Sequence, residues 1–230
     1  MPSTGCSRKN WRAEAVTAVC AALAADCWAA GPPPPDYPFG DGFAAATLPA
    51  PPAAELRLGR FAVRLERTRM AEVRKAAGAG EVGHRGDAGA SLYWLCYTLP
   101  HEDSADLLWF TSGELYGGGE IDGIVARRLA DGEAAPPGCP VLPAALRPAA
   151  LRHGLWLGST TAQLQAALPR PSATRDGWLE YSYAGTLKGP YRDPGSGKDS
   201  VVDYDVGSDL LVKLKAGRIV FLYVNQDTTF

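Results

Sequence analysis

The chain has 230 residues, of which 46% are hydrophobic and 21% are charged, a composition typical of a globular protein that buries a core. Its formal net charge is -2, and its acidic and basic residues are interspersed. Without a basic stripe that would neutralise phosphates, the chain is not expected to bind nucleic acid or to dock on an anionic membrane.

Residues 1–30 are predicted to be a secretory signal peptide. The basic start MPSTGCSRKNWR precedes a weakly apolar, alanine-rich run, and Ala22 and Ala24 fit a small-residue cleavage site, with Ala29 as another candidate. The run is too short and too often interrupted by acids for a membrane anchor. We expect a protein of the periplasm or the cell exterior, without a stable membrane anchor after processing. The alternative is an amphipathic cytosolic helix or a misplaced start codon.

The next segment, residues 31–55, is rich in proline and alanine and has no apolar periodicity. This composition predicts a disordered, extended tether in front of the folded part.

A first helix-plus-sheet unit is expected over residues 56–130. The segment RMAEVRKAAGAGE predicts a short helix, and SLYWLCYTL, DLLWFTSGE and EIDGIVARRL predict strands. A proline-rich linker, residues 131–150, follows.

The cysteines support export. Cys6, Cys20 and Cys27 lie in or beside the predicted leader, which leaves Cys96 and Cys139 for the mature chain. In an oxidising compartment two cysteines predict one disulfide, which closes a loop of about forty residues and contributes roughly 4 kcal/mol. Two free buried thiols are the alternative. Neither spacing nor neighbours indicate a metal site or a redox pair, so no metal or cofactor is expected.

A second helix-plus-sheet unit is expected over residues 151–230. Thr160 is a good N-cap, Gln163 completes a capping box, and Pro169 stops the helix. The apolar stripe of this helix consists of Leu164, Ala167 and Leu168. The strands GWLEYSYAG, SVVDYDVG, DLLVKLKAG and RIVFLYVN follow, the last two joined by a turn in which Gly217 takes a positive φ.

The two helices share one spacing. Aligning Val73 with Leu164 also aligns Glu72 with Gln163, and each helix is followed by an aromatic strand. We interpret this as an internal duplication and predict an α+β fold of two tandem units, each a short helix packed on an antiparallel sheet. A chance match of two short helices is the alternative.

The second copy resembles the SmpA/OmlA-like outer-membrane assembly lipoproteins and the tandem-repeat β-lactamase inhibitor proteins, which share an architecture. The residues that carry the resemblance are Gly158, Thr160, Gln163, Leu164, Ala167, Leu168 and Pro171, with Tyr181 and Tyr183 in the strand that follows. The resemblance implies helix-plus-sheet units side by side that bind proteins through the sheet face.

Aromatic residues in the predicted strands are the candidate binding surface. There are more of them than one helix per unit is expected to cover, and large, stiff side chains suit a protein-binding face. The candidates are Trp94, Tyr97, Trp109, Trp178, Tyr181, Tyr183, Tyr204 and Tyr223. The alternative is that these rings fill the core.

No catalytic motif is evident. None of His84, His101 and His153 has a second histidine or a cysteine at ligand spacing, so each is interpreted as a solvated loop residue. The sequence therefore predicts an exported, noncatalytic module of a bacterial-type cell envelope that binds another envelope protein. Two alternatives remain: an envelope hydrolase or small-ligand binder with its site between the units, and a purely structural domain of a larger complex.

Overall fold

The computed structural model describes residues 30–36, 48–87, 89–102, 104–192 and 195–229. All of the predicted signal peptide except residue 30 lies outside this part of the chain. Within the described residues, no helix is both long enough and apolar enough to cross a membrane.

The described chain is a mixed α+β protein with two helices, α1 (Met70–Ala77) and α2 (Thr161–Ala167). Its strands are β1 (Glu55–Leu58), β2 (Phe61–Arg64), β3 (Gly83–Arg85), β4 (Leu92–Pro100), β5 (Ala105–Gly113), β6 (Gly123–Arg128), β7 (Ala149–Ala150), β8 (Ala173–Arg175), β9 (Trp178–Arg192), β10 (Asp199–Lys215) and β11 (Arg218–Thr229). They form an antiparallel three-stranded sheet in the order β2-β1-β7 and an antiparallel eight-stranded sheet in the order β3-β4-β5-β6-β11-β10-β9-β8.

Helix α2 starts and stops where its sequence predicts. The Thr160 hydroxyl accepts the Gln163 N–H at 3.2 Å, and the Gln163 side-chain oxygen accepts the Thr160 N–H at 2.8 Å, so the predicted capping box is confirmed. Leu164 is fully buried, and the helix ends just before Pro169.

The predicted turn between the last two strands is also present. Strand β10 ends at Lys215 and β11 begins at Arg218, so the turn has two central residues. These are Ala216 at φ 49° and Gly217 at φ 71°. Two positive φ angles match the right-handed twist of the flanking strands, as in a type I′ hairpin.

The large sheet has a packed core on each face. The first core lies under the helices and the small sheet, and it includes Leu56, Val63, Val73, Leu95, Phe110, Ile124, Leu164 and Leu222. The second core lies on the opposite face, and it includes Trp94, Cys96, Leu107, Trp109, Val125, Cys139, Leu211, Phe221 and Tyr223. Alternate residues of a strand point to opposite faces, so one strand supplies both cores.

The strands that follow α1 and the strands that follow α2 belong to one sheet. Strand β6 pairs with β11, from Gly123 opposite Asn225 to Arg127 opposite Phe221. The predicted linker, residues 131–150, supplies Cys139 to the second core and Leu142 to the first. The fold is therefore α+β with antiparallel sheets, and its division into two tandem units stays a prediction.

The predicted disordered tether needs correction. Residues 30–36, which we call the strap, lie on the second core: the Gly31 carbonyl accepts the Trp94 indole N–H at 2.8 Å, and the Pro32 carbonyl accepts the Trp109 indole N–H at 2.9 Å. Residues 48–55 also pack, with Leu48 and Ala53 in the first core. Prolines lack an N–H but keep a carbonyl, so a proline-rich segment can satisfy buried indole donors. The rest of the predicted tether, residues 37–47, lies outside the described residues.

Candidate functional site

The predicted cysteine pairing is confirmed. Cys96 in β4 and Cys139 in the segment before β7 lie at disulfide distance, with their Cα atoms 4.7 Å apart and a sequence separation of 43. Both are buried in the second core. The bond ties the predicted linker to β4, the second strand from one edge of the large sheet.

The predicted exposed aromatic surface is wrong for most of its members. Five of the eight rings are buried: Trp94, Tyr97, Trp109, Tyr181 and Tyr223. The helices and the small sheet cover one face, while the strap and the predicted linker cover part of the other. Burial of the Tyr97 phenol, whose hydroxyl donates to the Ala79 carbonyl, raises its pKa to about 12. These rings fill cores, as the alternative interpretation expected.

The remaining three candidates, Trp178, Tyr183 and Tyr204, are half-buried. Trp178 packs edge-on against Phe221, with their ring centroids 5.0 Å apart, at the border of the second core. Tyr183 and Tyr204 lie on the opposite face of the β9–β10 hairpin. There the Tyr183 ring covers Gly185 and the Tyr204 ring covers Gly189, each at a distance that leaves no room for a Cβ.

The outer part of this hairpin, residues 185–192 of β9 and 199–206 of β10, is a two-stranded ribbon. Strand β11 ends opposite Asp205, and β8 pairs with β9 only as far as Glu180. Leu48 adds one backbone hydrogen bond to β9, at the Ser182 carbonyl. Beyond these contacts, neither edge of the ribbon pairs with another described strand.

The ribbon has two chemically different faces. Leu187 lies opposite Tyr204, and Val202 opposite Gly189, and opposed residues of an antiparallel pair share a face. The apolar face therefore carries Leu187, Tyr191, Val202 and Tyr204. The other face carries Lys188, Arg192, Asp199, Val201 and Asp203. Leu187 is 54% exposed and Val201 is 72% exposed, so hydrophobic side chains on both faces are accessible.

A second cluster surrounds Asp106, which sequence reasoning missed. Asp106 is fully buried, and its carboxylate accepts the Arg128 Nε–H at 2.9 Å and the Trp156 indole N–H at 3.2 Å. His101 Nε2 lies 2.8 Å from Asp106 Oδ2. His101 is an exposed residue outside the helices and strands, as the sequence predicts, but its contact with a buried carboxylate was not predicted. Hydrogen bonds that span 50 residues leave no local pattern in the sequence.

A cavity of about 470 Å³ adjoins this cluster. It lies between the end of β4 and residues 144–149, and both His101 and Trp156 line it. Arg147 also lines it, and the buried Arg147 Nε has no hydrogen-bond partner in the described structure. The cavity thus combines aromatic, apolar and cationic groups.

Glu66 forms a third polar cluster with the end of β11. The Tyr116 hydroxyl, the Gln226 amide and the Thr228 N–H and hydroxyl all donate to its carboxylate. Burial acts to raise the pKa of Glu66, but the hydrogen bonds from Thr228, Tyr116 and Gln226 outweigh it and lower the pKa. Glu66 thereby ties the segment between β2 and α1 to the last strand.

The pKa of Asp122, a residue close to this cluster, is shifted in the opposite direction. Its carboxylate accepts the Gly113 N–H at 2.5 Å and the Thr111 hydroxyl at 3.3 Å. Burial, with a smaller effect of the Asp227 charge, nevertheless raises the pKa of Asp122 to about 6. Across the described residues, no three His, Cys, Asp or Glu side chains are grouped so that they could hold a metal ion.

Comparison of the chain with known protein families, with curated proteins and with solved structures finds no match. The resemblance to the assembly lipoproteins and the β-lactamase inhibitor proteins therefore stays a prediction.

Proposed function

We propose that this protein is an exported, noncatalytic module of a bacterial-type cell envelope, and that it binds another envelope protein through the apolar face of the β9–β10 ribbon. The observation that carries the proposal is the form of the ribbon. It projects beyond its neighbouring strands, with a hydrophobic and aromatic face on one side and a charged face on the other.

The exposed apolar side chains and unpaired edges of the ribbon favour a protein partner there. An isolated two-stranded ribbon is marginally stable in water, and an exposed leucine beside tyrosines costs free energy that burial against another protein recovers. Tyrosines contribute contact area with few rotors to immobilise. The unpaired edges of the ribbon also allow a partner strand to add to it.

We also propose that the chain is a tandem repeat, as the family resemblance implies. The supporting observation is the strand order: four strands of the large sheet follow each helix, and the last strand of each set, β6 and β11, meet at the middle of that sheet. Such an arrangement is what two copies related by an approximate twofold axis produce.

Export is part of the same proposal. Its support is the cysteine pair at disulfide distance, because disulfides persist in the periplasm and outside the cell and are rare in the cytosol. We place the protein in the periplasm or among secreted proteins, after removal of the leader.

The hydrolase alternative has one supporting observation, the contact between His101 and Asp106. A catalytic carboxylate of this kind orients a histidine that acts on substrate. Asp106, however, also accepts hydrogen bonds from Arg128 and Trp156, which is typical of a carboxylate that holds several elements together. We therefore favour the noncatalytic proposal.

Site-specific photo-crosslinking in cells tests the binding face. A crosslinking residue placed at Leu187 or Val202, on the apolar face, is expected to capture one discrete envelope protein. The same residue at Val201, on the charged face of the same ribbon, is the matched control and should capture it far less. Equal capture from both faces, or none from the apolar face, would contradict the proposal.

A binding measurement with the captured partner completes the test. Leu187→Asp is expected to weaken affinity about tenfold or more, because it places a charge in an apolar contact worth more than roughly 1.4 kcal/mol. Val201→Asp should bind like the wild type. Intact mass of the protein from the envelope fraction checks export, and a full-length chain with five alkylatable thiols would place it in the cytosol.

A further inference from the structure

We propose that the cavity beside Trp156 binds a small organic carboxylate, an interaction that goes beyond the proposed protein-binding function. Its volume of about 470 Å³ lies within the range of cavities that hold small ligands. Its apolar wall comes from Leu99 and Pro100 at the end of β4 and from Ala149 in β7.

The charge of the cavity selects the ligand. Arg147 lines it and forms no ion pair with any described carboxylate, and its buried Nε has no hydrogen-bond partner there. That Nε is closed to solvent, so a ligand in the cavity reaches Arg147 through the two terminal nitrogens of its guanidinium, which are not buried. A guanidinium group binds a carboxylate through two parallel hydrogen bonds, so a planar carboxylate suits this position best.

The aromatic walls of the cavity are fixed before a ligand arrives. Asp106 does not line the cavity, yet its carboxylate contacts His101 Nε2 at 2.8 Å and accepts the Trp156 indole N–H at 3.2 Å. Arg128 forms an ion pair with Asp106, with its Nε 2.9 Å from Oδ1. Because the His101 and Trp156 rings are already held, ligand binding does not carry the entropic cost of ordering them.

The ligand class follows from these features together. The apolar wall and the Trp156 ring suit an aliphatic or aromatic body, and Arg147 suits one negative charge at its end. Since no acidic side chain lines the cavity, a cationic ligand has no counter-charge there.

Calorimetric titration of the wild-type protein tests the class. The probes are hexanoate, phenylacetate and indole-3-acetate, each compared with its neutral amide, which has nearly the same shape. We expect at least one carboxylate to bind roughly tenfold or more tightly than its amide, as a hydrogen-bonded ion pair predicts. If no carboxylate binds more tightly than its amide, the proposal is wrong.

Variants test whether the carboxylate binds in this cavity. Arg147→Gln is expected to weaken carboxylate binding about 10- to 100-fold and to leave the amide unchanged. Arg152→Gln, an exposed arginine that does not line this cavity, is the matched control. Equal losses in the two variants would overturn the assignment.

A third measurement uses the wild-type protein, so its result does not depend on whether an arginine variant folds. The Trp156 indole N–H resonance, assigned by its loss in Trp156→Phe, should shift when the carboxylate is added to the wild-type protein. A tight-binding carboxylate that leaves this resonance unmoved would place the site elsewhere and overturn the proposal.

Discussion

One buried carboxylate, Asp106, and two half-buried ones, Glu66 and Asp122, have three different environments. Asp106 is paired with Arg128, Glu66 is surrounded by four uncharged hydrogen-bond donors, and Asp122 has two donors but no cation. The donors lower the pKa of Glu66, whereas burial raises the pKa of Asp122 to about 6. The number and charge of the groups around a carboxylate therefore decide whether placing it in the folded protein stabilises or destabilises that protein at neutral pH.

Asp122→Asn is predicted to stabilise the protein at neutral pH and to have less effect near pH 4. The pKa of Asp122 rises from its ordinary value of 3.8 to about 6 on folding, so between these values the folded state binds a proton that the unfolded state releases. Stability therefore falls as pH rises through this window, and an asparagine removes the loss, on the order of 2 kcal/mol. Urea unfolding of both proteins at pH 4 and pH 7.5 measures the difference.

The exposed Asp131 provides the control for this prediction. Asp131→Asn should change the free energy of unfolding by less than about 0.5 kcal/mol at either pH, as surface substitutions usually do. A gain from Asp122→Asn that is the same at pH 4 and pH 7.5 would show that the carboxyl does not titrate as described.

What could be predicted at this scale depended on distance along the chain. The capping box joins Thr160 to Gln163 three residues away, so its pattern is visible in the sequence. The pairing of Cys96 with Cys139 was accessible because only two cysteines remain after the predicted leader. The contacts of Asp106 with Arg128 and Trp156 bridge 22 and 50 residues, and no local signal indicates them.

Among the elements, the strap corrects a prediction based on composition. A proline-rich run without apolar periodicity predicts disorder when only its own side chains are considered. The carbonyls of Gly31 and Pro32 instead satisfy two buried indole N–H groups, and Gly31 lies against the disulfide. The prediction failed because the partner donors, Trp94 and Trp109, lie on strands more than sixty residues away.

Gly31→Ala is predicted to make the disulfide easier to reduce. A Cβ at Gly31 would lie 2.6 Å from Cys139 Sγ and 2.9 Å from Cys96 Cβ, so the strap must move away from the bond. Reduction by a phosphine, followed by alkylation and mass spectrometry, should be faster by about tenfold, the rate change that roughly 1.4 kcal/mol of lost packing produces. Gly207→Ala is the control, because a Cβ there meets no atom within 4 Å. Equal reduction rates in the two variants would mean that the strap does not shield the disulfide.

The aromatic strands show a second limit at the element scale. Period-two alternation correctly indicates that Trp94 and Tyr97 point to opposite faces of a strand, but it does not indicate what covers each face. The small sheet and the strap provide that cover, and neither was predicted. The ribbon extends past the covering elements, and the candidates that stay half-buried are Tyr204 in the ribbon, Tyr183 two residues before it, and Trp178.

For the whole molecule, the pairing of β6 with β11 is the decisive contact. It makes the two predicted units parts of one sheet, with the first core continuous beneath them. Val224 is fully buried at this join and sits opposite Ile124. Cooperativity between the two halves is set by how strongly such residues couple them.

We predict that the two halves unfold together. In urea, hydrogen-exchange mass spectrometry should give one unfolding midpoint for peptides from β4 and β5 and for peptides from β10 and β11. Val224→Ala should lower the free energy of unfolding by about 2 kcal/mol, through a lost contact and a cavity at the join, and should move both midpoints equally. Leu115→Ala, at a residue that is 79% exposed, is the control and should move neither. Separate midpoints in the wild type would instead mean that each half is an independently stable unit joined by a weak strand pair. If only Val224→Ala separates the midpoints, the β6–β11 contact itself supplies the cooperativity that one continuous sheet implies.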